Sequence, residues 1–140
     1  LPALIRKCHD ARTEGRNDVT IWGTGAARRE FLHVDDLADA CVFLMNNYSD
    51  AMHINVGTGE DLSMADLADK IRQVVHPAAT IVYDSSKPDG SPRKLLDVSR
   101  LHALGWRHRT SLGEGIEHTY NWFLEHQASA CGLAAATHAP

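Results

Sequence analysis

Cysteine pairs, histidine clusters and excess basic charge are all missing from this sequence of 140 residues, and each absence excludes a class of protein. The three cysteines (Cys8, Cys41 and Cys131) lie far apart and include no Cys-x-x-Cys pair, so no zinc or redox motif is predicted. The nine histidines form no His-x-x-x-His pair and no cluster with cysteine, which argues against a metal centre. The formal net charge is −4 without any basic run, so no nucleic-acid-binding surface is predicted.

Long apolar runs and targeting signals are also absent. No apolar stretch approaches the length that crosses a membrane, and the amino end lacks the charged-then-apolar pattern of a signal peptide. We therefore expect a cytoplasmic protein with reduced thiols. The first residue, Leu1, is not a methionine and lies inside a predicted helix, so we expect an upstream part of the protein.

The sequence contains no recognisable catalytic or cofactor-binding motif. No Gly-x-Gly-x-x-Gly run follows a predicted strand, so no dinucleotide pyrophosphate site is predicted. Tyr83 and Lys87 have the spacing of a Tyr-x-x-x-Lys pair, but they lie on a predicted strand and in a proline-containing loop. Helical spacing therefore does not bring their side chains together. No residue is assigned to catalysis.

Predicted helices and strands alternate along residues 1–126, which is typical of an α/β fold. Helices are predicted near residues 1–12, 35–47, 64–74, 97–104 and 112–125, and strands at 19–22, 30–34, 53–57 and 80–83. Asp84 to Arg93 is predicted to be a loop because it is polar and contains Pro88, Asp89-Gly90 and Pro92.

Helix ends and apolar faces are predicted from local signals. Ser63 with Asp66 and Ser111 with Glu114 have the spacing of N-terminal caps. Gly105 is predicted to end a short helix in a left-handed conformation, with Trp106 packing back on it. The predicted buried faces are listed as follows: Leu37, Cys41, Leu44 and Tyr48; Met64, Leu67, Ile71 and Val74; and Leu112, Ile116, Tyr120 and Phe123.

Basic and aromatic side chains next to predicted strand ends are the candidates for ligand binding. Trp22 leads into a glycine turn that Arg28 and Arg29 follow, and one polar loop carries Lys87, Asp89, Arg93 and Lys94. Guanidinium groups bind phosphate oxygens, aromatic faces pack on bases or sugars, and carboxylates accept hydrogen bonds from hydroxyls. The alternative, a set of solvated charges and a core tryptophan, is equally consistent with the composition.

Five stretches carry a resemblance to a known family. The run WGTGAARREFLHVDD (residues 22–36) and the run INVGTG (residues 54–59) resemble segments of extended short-chain dehydrogenase/reductases. The loop SKPDGSPRKLLDVSR (residues 86–100), with LGW (104–106) and TYNWFL (119–124), resembles the GDP-L-fucose synthase family of that superfamily. The similarity covers residues 1 to about 126.

The resemblance implies a substrate site and a reaction. Lys7, Trp22, Arg29 and Asp89 match substrate-binding positions of the family, and Lys94 is a further candidate for positive charge. We expect Arg29 and Lys7 to bind the diphosphate of a GDP-sugar, Trp22 to pack on nucleotide or sugar, and Asp89 to hold hydroxyls or the base. The implied reaction converts GDP-4-keto-6-deoxy-D-mannose to GDP-L-fucose by 3,5-epimerisation and NADPH-dependent 4-reduction.

The family's catalytic and NADPH-binding residues lie upstream of the part that matches. Cys8 and His9 are adjacent but do not match the epimerase cysteine and histidine, and His33, Asp35 and Asp36 are interpreted as a helix cap with its supporting hydrogen bonds. Asn55 and Thr58 are assigned to the end of a strand. The catalytic and cofactor-binding sets within this sequence are therefore predicted to be empty.

The expected domain organisation follows from the same resemblance. Residues 1–126 are predicted to be the C-terminal substrate-binding portion, in which residues 30–57 close a Rossmann-type parallel sheet and residues 76–126 form the small domain. Residues 127–140 are predicted to be a disordered tail. Such a portion is expected to expose apolar faces, to depend on a missing N-terminal Rossmann half, and to lack activity alone, within a homodimeric enzyme.

The alternatives are a nucleotide-sugar 4-epimerase or 4,6-dehydratase, and a stand-alone, non-catalytic binding module.

Overall fold

The architecture is that of an α/β protein, as the alternating pattern predicts. The structure is a computed structural model and describes residues 1–126. The elements are α1 (Pro2–Thr13), β1 (Asp18–Trp22), β2 (Arg28–Arg29), α2 (Val34–Asn47), β3 (Leu62–Ser63), α3 (Met64–Val75), β4 (Thr80–Asp84), β5 (Arg93–Lys94), α4 (Ser99–Ala103) and α5 (Leu112–Glu125). The predicted tail, residues 127–140, lies outside the described residues.

Two small sheets carry the loops that form the candidate site. Strands β1 and β4 pair in parallel from Asp18 opposite Thr80 to Trp22 opposite Asp84. The second sheet has the order β3-β2-β5, in which β2 pairs antiparallel with β3 and parallel with β5. Because β1 and β4 run in the same direction, the turn after β1 and the loop after β4 emerge at the same edge.

The main core lies between α1, α3, α5 and β1. Ile5, Leu67, Ile71 and Ile116 are at most 1% exposed, and Tyr120 is buried beside them. Burial of each large aliphatic side chain contributes about 1.5–3 kcal/mol relative to its exposed state. The predicted faces of α3 and α5 are confirmed at these positions.

Local capping signals explain where the helices of this core begin. Ser63 accepts a hydrogen bond from the Asp66 amide, and the Asp66 side chain accepts one from the Ser63 amide. Ser111 and Glu114 form the same reciprocal pair at α5. Both predicted caps are therefore confirmed, and each satisfies amides that have no partner within the helix.

A second, smaller cluster joins α2 to α4. Ala40, Leu101 and Trp106 are buried together, and the Trp106 indole nitrogen donates to Asp39 Oδ2 at 2.8 Å. Gly105 has a φ of 96°, so the left-handed turn that brings Trp106 back onto this cluster is confirmed.

Two predicted strands are wrong. Residues 30–33 and 53–56 have no strand structure, and the only strand in the first region is β2, two residues earlier than predicted. A strand requires a hydrogen-bonded neighbour, and no other segment of residues 1–126 pairs with either stretch. The Glu30 side chain instead accepts hydrogen bonds from the Thr58 and Gly59 amides, at 2.6 and 2.7 Å.

The apolar stripe predicted on α2 is only partly buried, because Leu44 packs against the second cluster and Tyr48 is half-buried while the other two predicted residues are exposed. Leu37 is 43% exposed, Cys41 is exposed and Met45, one turn further along the same stripe, is 83% exposed. The buried face is instead formed by Asp36 and Ala40. The small Ala40 allows close packing within the second cluster, whereas Leu37, Cys41 and Met45 remain exposed within residues 1–126.

Candidate functional site

Four of the five residues predicted to bind substrate line one cleft. Lys7 comes from α1, Trp22 from the end of β1, Arg29 from β2 and Asp89 from the loop after β4. The cleft has a volume of about 310 Å³. The remaining lining residues are Ala3, Leu4, Ile21, Gly25, Ala27 and Met64. Tertiary structure thus brings together side chains that are up to 82 residues apart, the interval between Lys7 and Asp89.

Trp22 projects from the end of β1 into solvent. Alternation along β1 buries Val19 and Ile21, so Trp22 falls on the exposed face and is 70% accessible. The core tryptophan that the composition also allowed is therefore wrong for this position. Lys7 Nζ lies 5.6 Å and Lys87 Nζ 5.9 Å from the centroid of the Trp22 ring. Both ammonium groups are close enough for attraction to the aromatic ring.

Asp89 attaches the loop after β4 to the turn after β1. Asp89 Oδ1 accepts a hydrogen bond from the Thr24 amide at 2.7 Å, and Oδ2 accepts one from Thr24 Oγ1 at 2.6 Å. The bonds from the Thr24 hydroxyl and then its amide lower the pKa of Asp89. Gly23 has a φ of 83°, and a Cβ there would lie 2.2 Å from Asp89 Oδ1, so glycine is required for this approach.

Arg29 and Lys94 are neighbours in the second sheet. They are paired in register between β2 and β5, which sets their Cα atoms side by side. Arg29 Nη1 donates to the Arg28 carbonyl at 2.6 Å, and within residues 1–126 no carboxylate forms an ion pair with Arg29. Lys94 is exposed and is the one predicted residue that does not line the cleft.

Arg28 and Arg93, although adjacent to predicted residues, are already paired. Arg28 Nε donates to Asp61 Oδ1 at 2.9 Å, and Arg93 donates to Asp61 Oδ2. The Asp61 side chain is only 3% exposed, and hydrogen bonds from Arg93 and then Arg28 lower its pKa. These two arginines hold β2, β3 and β5 together. Of the two consecutive arginines, only Arg29 remains for a ligand.

Neither glycine turn offers a site for a pyrophosphate. In the turn at residues 57–59 the amides of Thr58 and Gly59 already donate to the Glu30 carboxylate. In the turn at residues 23–25 the Thr24 amide donates to Asp89. Because each turn is occupied by a negative side chain of the protein, a second anion there would be repelled. These two glycine turns therefore do not fit the pyrophosphate of a dinucleotide cofactor.

His33, Asp35 and Asp36, interpreted as a helix cap rather than as catalytic groups, make hydrogen bonds that stabilise the fold. His33 Nδ1 accepts a hydrogen bond from the Asp35 amide and caps α2, so the capping residue lies two residues before Asp35 and three before Asp36. Asp36 is 6% exposed and accepts from the amides of Arg109 and Thr110.

The remaining candidate groups also have ordinary surroundings. Burial raises the pKa of the Cys8 thiol, and the adjacent His9 is hydrogen-bonded to the Tyr120 hydroxyl at 3.1 Å. Asn55 Nδ2 donates to the Asp97 carbonyl. Among residues 1–126, no group of histidine, cysteine or acidic side chains is arranged to hold a metal ion. Within the same range, no helix is long and apolar enough to span a membrane.

Comparison with known proteins gives one consistent result. A model of the NAD dependent epimerase/dehydratase family matches residues 1–57. The chain is 49% identical to a probable GDP-L-fucose synthase 1 of Oryza sativa subsp. japonica over 130 residues, which are 93% of this chain and 40% of that protein. It is 49% identical to the GDP-L-fucose synthase of Escherichia coli K12 over 136 residues, which are 91% of this chain and 42% of that protein.

Two solved structures of GDP-sugar enzymes are also similar to this chain. A GDP-L-fucose synthetase from Naegleria fowleri bound to NADP superposes with a TM-score of 0.85 at 28% identity, covering 91% of this chain and 40% of that one. A GDP-mannoheptose C4 reductase from Campylobacter jejuni with NADP bound has a TM-score of 0.73 at 38% identity, covering 88% and 44%. The chain spans about two fifths of the length of its curated relatives. The resemblance predicted from the motifs is confirmed.

Proposed function

We propose that this chain, a homologue of the GDP-L-fucose synthases over about nine tenths of its length, binds the nucleotide-sugar in an enzyme of that kind. The observation that carries the proposal is the convergence of Lys7, Trp22, Arg29 and Asp89 on one cleft. These residues are predicted from sequence motifs, without knowledge of their positions in space. Because all four line the same cleft, they are more consistent with one shared ligand than with a set of unrelated surface charges.

The charges and shapes around the cleft suit a nucleoside diphosphate. Arg29 lacks a carboxylate partner within residues 1–126, so its free guanidinium edge binds phosphate oxygens with parallel hydrogen bonds. Lys7 donates to the Thr20 carbonyl at 3.0 Å and retains two further donors for the same anion. Exposed Trp22 offers an aromatic face to the base or sugar, and Lys94, beside Arg29, adds positive charge.

Asp89 has a narrower role in this proposal than the motif implies. Both of its oxygens accept hydrogen bonds from Thr24, so the side chain first fixes the loop after β4 against the turn after β1. Each carboxylate oxygen accepts more than one hydrogen bond, which leaves capacity for a sugar or ribose hydroxyl. Asp89 therefore both shapes the cleft and contacts the substrate.

The chemistry of the whole enzyme is assigned to residues beyond this sequence. In the proposed reaction, GDP-4-keto-6-deoxy-D-mannose is epimerised at two carbons and its ketone is then reduced by NADPH. The glycine turns of this chain do not fit NADPH, and its sequence offers no Tyr-x-x-x-Lys helix. The contribution of this chain is binding energy at the nucleotide end, which positions the reacting sugar. By itself the chain is inactive.

The uncovered stripe on α2 supports the need for a further part of the enzyme. Val34, Leu37 and Met45 are 69%, 43% and 83% exposed along one side of the helix. Exposed apolar stripes of this kind mark contact surfaces. In the proposal, a Rossmann-type N-terminal half covers the stripe, and the full enzyme is a cytoplasmic homodimer. Residues 30–57, whose two predicted strands have no pairing partner within residues 1–126, then pair with the sheet of that half.

Calorimetric titration of the chain with GDP-L-fucose tests the binding role. We expect Arg29→Ala to weaken binding about tenfold or more, because a charge-assisted hydrogen bond contributes about 1.5–3 kcal/mol. Arg109→Ala is the matched control, since the Arg109 side chain is 80% exposed and lies outside the cleft. Circular dichroism confirms that each variant is folded. Failure of the folded wild-type chain to bind, or equal affinities for both variants, would contradict the proposal.

The nucleotide that the chain binds distinguishes a GDP-sugar enzyme from the related enzymes that act on other nucleotide-sugars. The relatives and the two solved structures described above act on GDP-sugars according to their names, which favours GDP over other nucleotides. We expect GDP to compete with GDP-L-fucose for the chain and UDP not to compete. Stronger competition by UDP would favour a UDP-sugar epimerase instead.

A further inference from the structure

Lys87 lies beside Trp22 although no resemblance assigns it a role. Its ammonium nitrogen is 5.9 Å from the centroid of the indole ring, nearly as close as that of Lys7 at 5.6 Å. The two lysines are 80 residues apart in the sequence, one on α1 and the other in the loop after β4. Two ammonium groups, from two different parts of the fold, therefore lie near the exposed ring of Trp22 at the cleft.

The backbone that carries Lys87 is held in place on both sides. The Lys87 amide donates to the Asp84 carbonyl at 3.2 Å, and that carbonyl also accepts from the Gly23 amide at 2.9 Å. Two residues later, Asp89 is bonded to Thr24. The loop is thus attached twice to the turn that follows Trp22. Lys87 is positioned next to the indole before any ligand arrives.

The Lys87 side chain is also available for an anion. It is exposed, and within residues 1–126 it forms no ion pair with a carboxylate. Attraction of an ammonium group to an exposed aromatic ring is weak, so a phosphate group competes effectively for it. Asp89, the only acidic residue among residues 1–126 that lines the cleft, is already bonded to Thr24.

We propose that Lys87 is a further substrate-binding residue, which moves from the Trp22 ring to the diphosphate when the nucleotide-sugar packs against the indole. The exchange has a physical basis, because the ligand occupies the ring surface near which the ammonium group lies and brings negative charge to the same place. Lys87 then adds to the charge supplied by Arg29 and Lys7. This inference rests on the proposed function of the cleft.

The test is calorimetric titration of the full chain with GDP at low and at high sodium chloride concentration. We expect Lys87→Ala to weaken GDP binding about fivefold at low salt, the upper range for an exposed ion pair, and to reduce the salt dependence of binding. Lys87→Arg, which keeps the charge, is expected to retain most of the affinity and its salt dependence. Lys70→Ala, an exposed lysine on α3 outside the cleft, is the matched control.

The outcomes separate this inference from the proposal on which it rests. If Arg29→Ala weakens GDP binding while Lys87→Ala binds like the Lys70→Ala control at both salt concentrations, Lys87 has no role and the cleft keeps its function. If Lys87→Arg loses as much affinity as Lys87→Ala, the contribution is not one of charge and the inference is wrong. If the folded wild-type chain does not bind GDP, both proposals fail.

Discussion

The helices of the main core and α2 each carry a regular apolar stripe, but the stripes differ in how much of them is buried. In the core between α1, α3 and α5, the predicted faces are buried, and Leu67 and Ile71 are fully inaccessible. On α2 an equally regular stripe leaves Leu37 and Met45 in solvent. Periodicity therefore predicts that a helix has an apolar side, but only a packing partner makes that side buried. The candidate site is built on the region whose packing is complete.

The largest expected loss of stability tests the difference between the buried core stripe and the exposed α2 stripe. Ile71→Ala is expected to lower the free energy of unfolding by about 2–5 kcal/mol, because it leaves a cavity in a packed core. Met45→Ala, at a position that is 83% exposed, is expected to change it by less than about 0.5 kcal/mol. Urea unfolding of both variants measures the difference. Comparable losses would mean that the α2 stripe is packed in solution, by self-association or otherwise.

A second test addresses the turn that replaces a predicted strand end. Glu30→Gln is expected to destabilise the chain by about 2 kcal/mol, because one carboxylate oxygen accepts from both the Thr58 and Gly59 amides. Glu117→Gln, on the exposed side of α5, serves as the control and should be close to neutral. Urea unfolding again gives the measurement. Equal stability of the two variants would show that Glu30 is not the anchor of this turn.

The smaller cluster beneath α2 is tested by removing one hydrogen bond. Trp106→Phe keeps an aromatic ring but loses the bond to Asp39, and we expect a loss of about 1 kcal/mol in unfolding free energy. Trp122→Phe alters an indole that is 53% exposed and should have little effect. A loss as large as that of Ile71→Ala would mean that the second cluster stabilises the fold as strongly as the main core.

The smallest expected effect concerns acid stability at the edge of the cleft. The Thr24 hydrogen bonds hold the pKa of Asp89 below its usual value, so their contribution to stability is present above that usual pKa and is lost as the pH falls through the lower pKa of the folded state. Thr24→Val removes the hydroxyl bond and should reduce the difference in stability between about pH 5 and about pH 3. Thermal unfolding at both pH values measures this difference. An unchanged difference would indicate that Asp89 is not held by Thr24 in solution.

Local signals account for the parts of the fold that the sequence predicts correctly. Ser63 and Ser111 cap their helices through residues three positions away, and Gly105 turns the chain through its own φ. These features depend on neighbours within one helical turn, so they can be recognised before any tertiary contact is known. The strands predicted at 30–34 and 53–57 failed because a strand depends on a distant partner.

The candidate site likewise combines features that the sequence predicts with features that depend on distant residues. The motifs selected Lys7, Trp22, Arg29 and Asp89, and the structure brings all four to one cleft. The sequence does not show that Arg28, next to Arg29, is paired with Asp61, because that pairing spans 33 residues. Nor does it show that Lys87, which lies in the same loop as Asp89, reaches the ring of Trp22.

By itself, the sequence determined the α/β class, the helix caps, the apolar faces and the residue types that suit a nucleotide diphosphate. Tertiary structure decided which apolar face is buried, which arginine remains unpaired and which lysines flank Trp22. The physical reason is distance along the chain, since caps and turns form between near neighbours. The pairing of Thr24 with Asp89 joins residues 65 positions apart and forms only when β1 and β4 lie side by side.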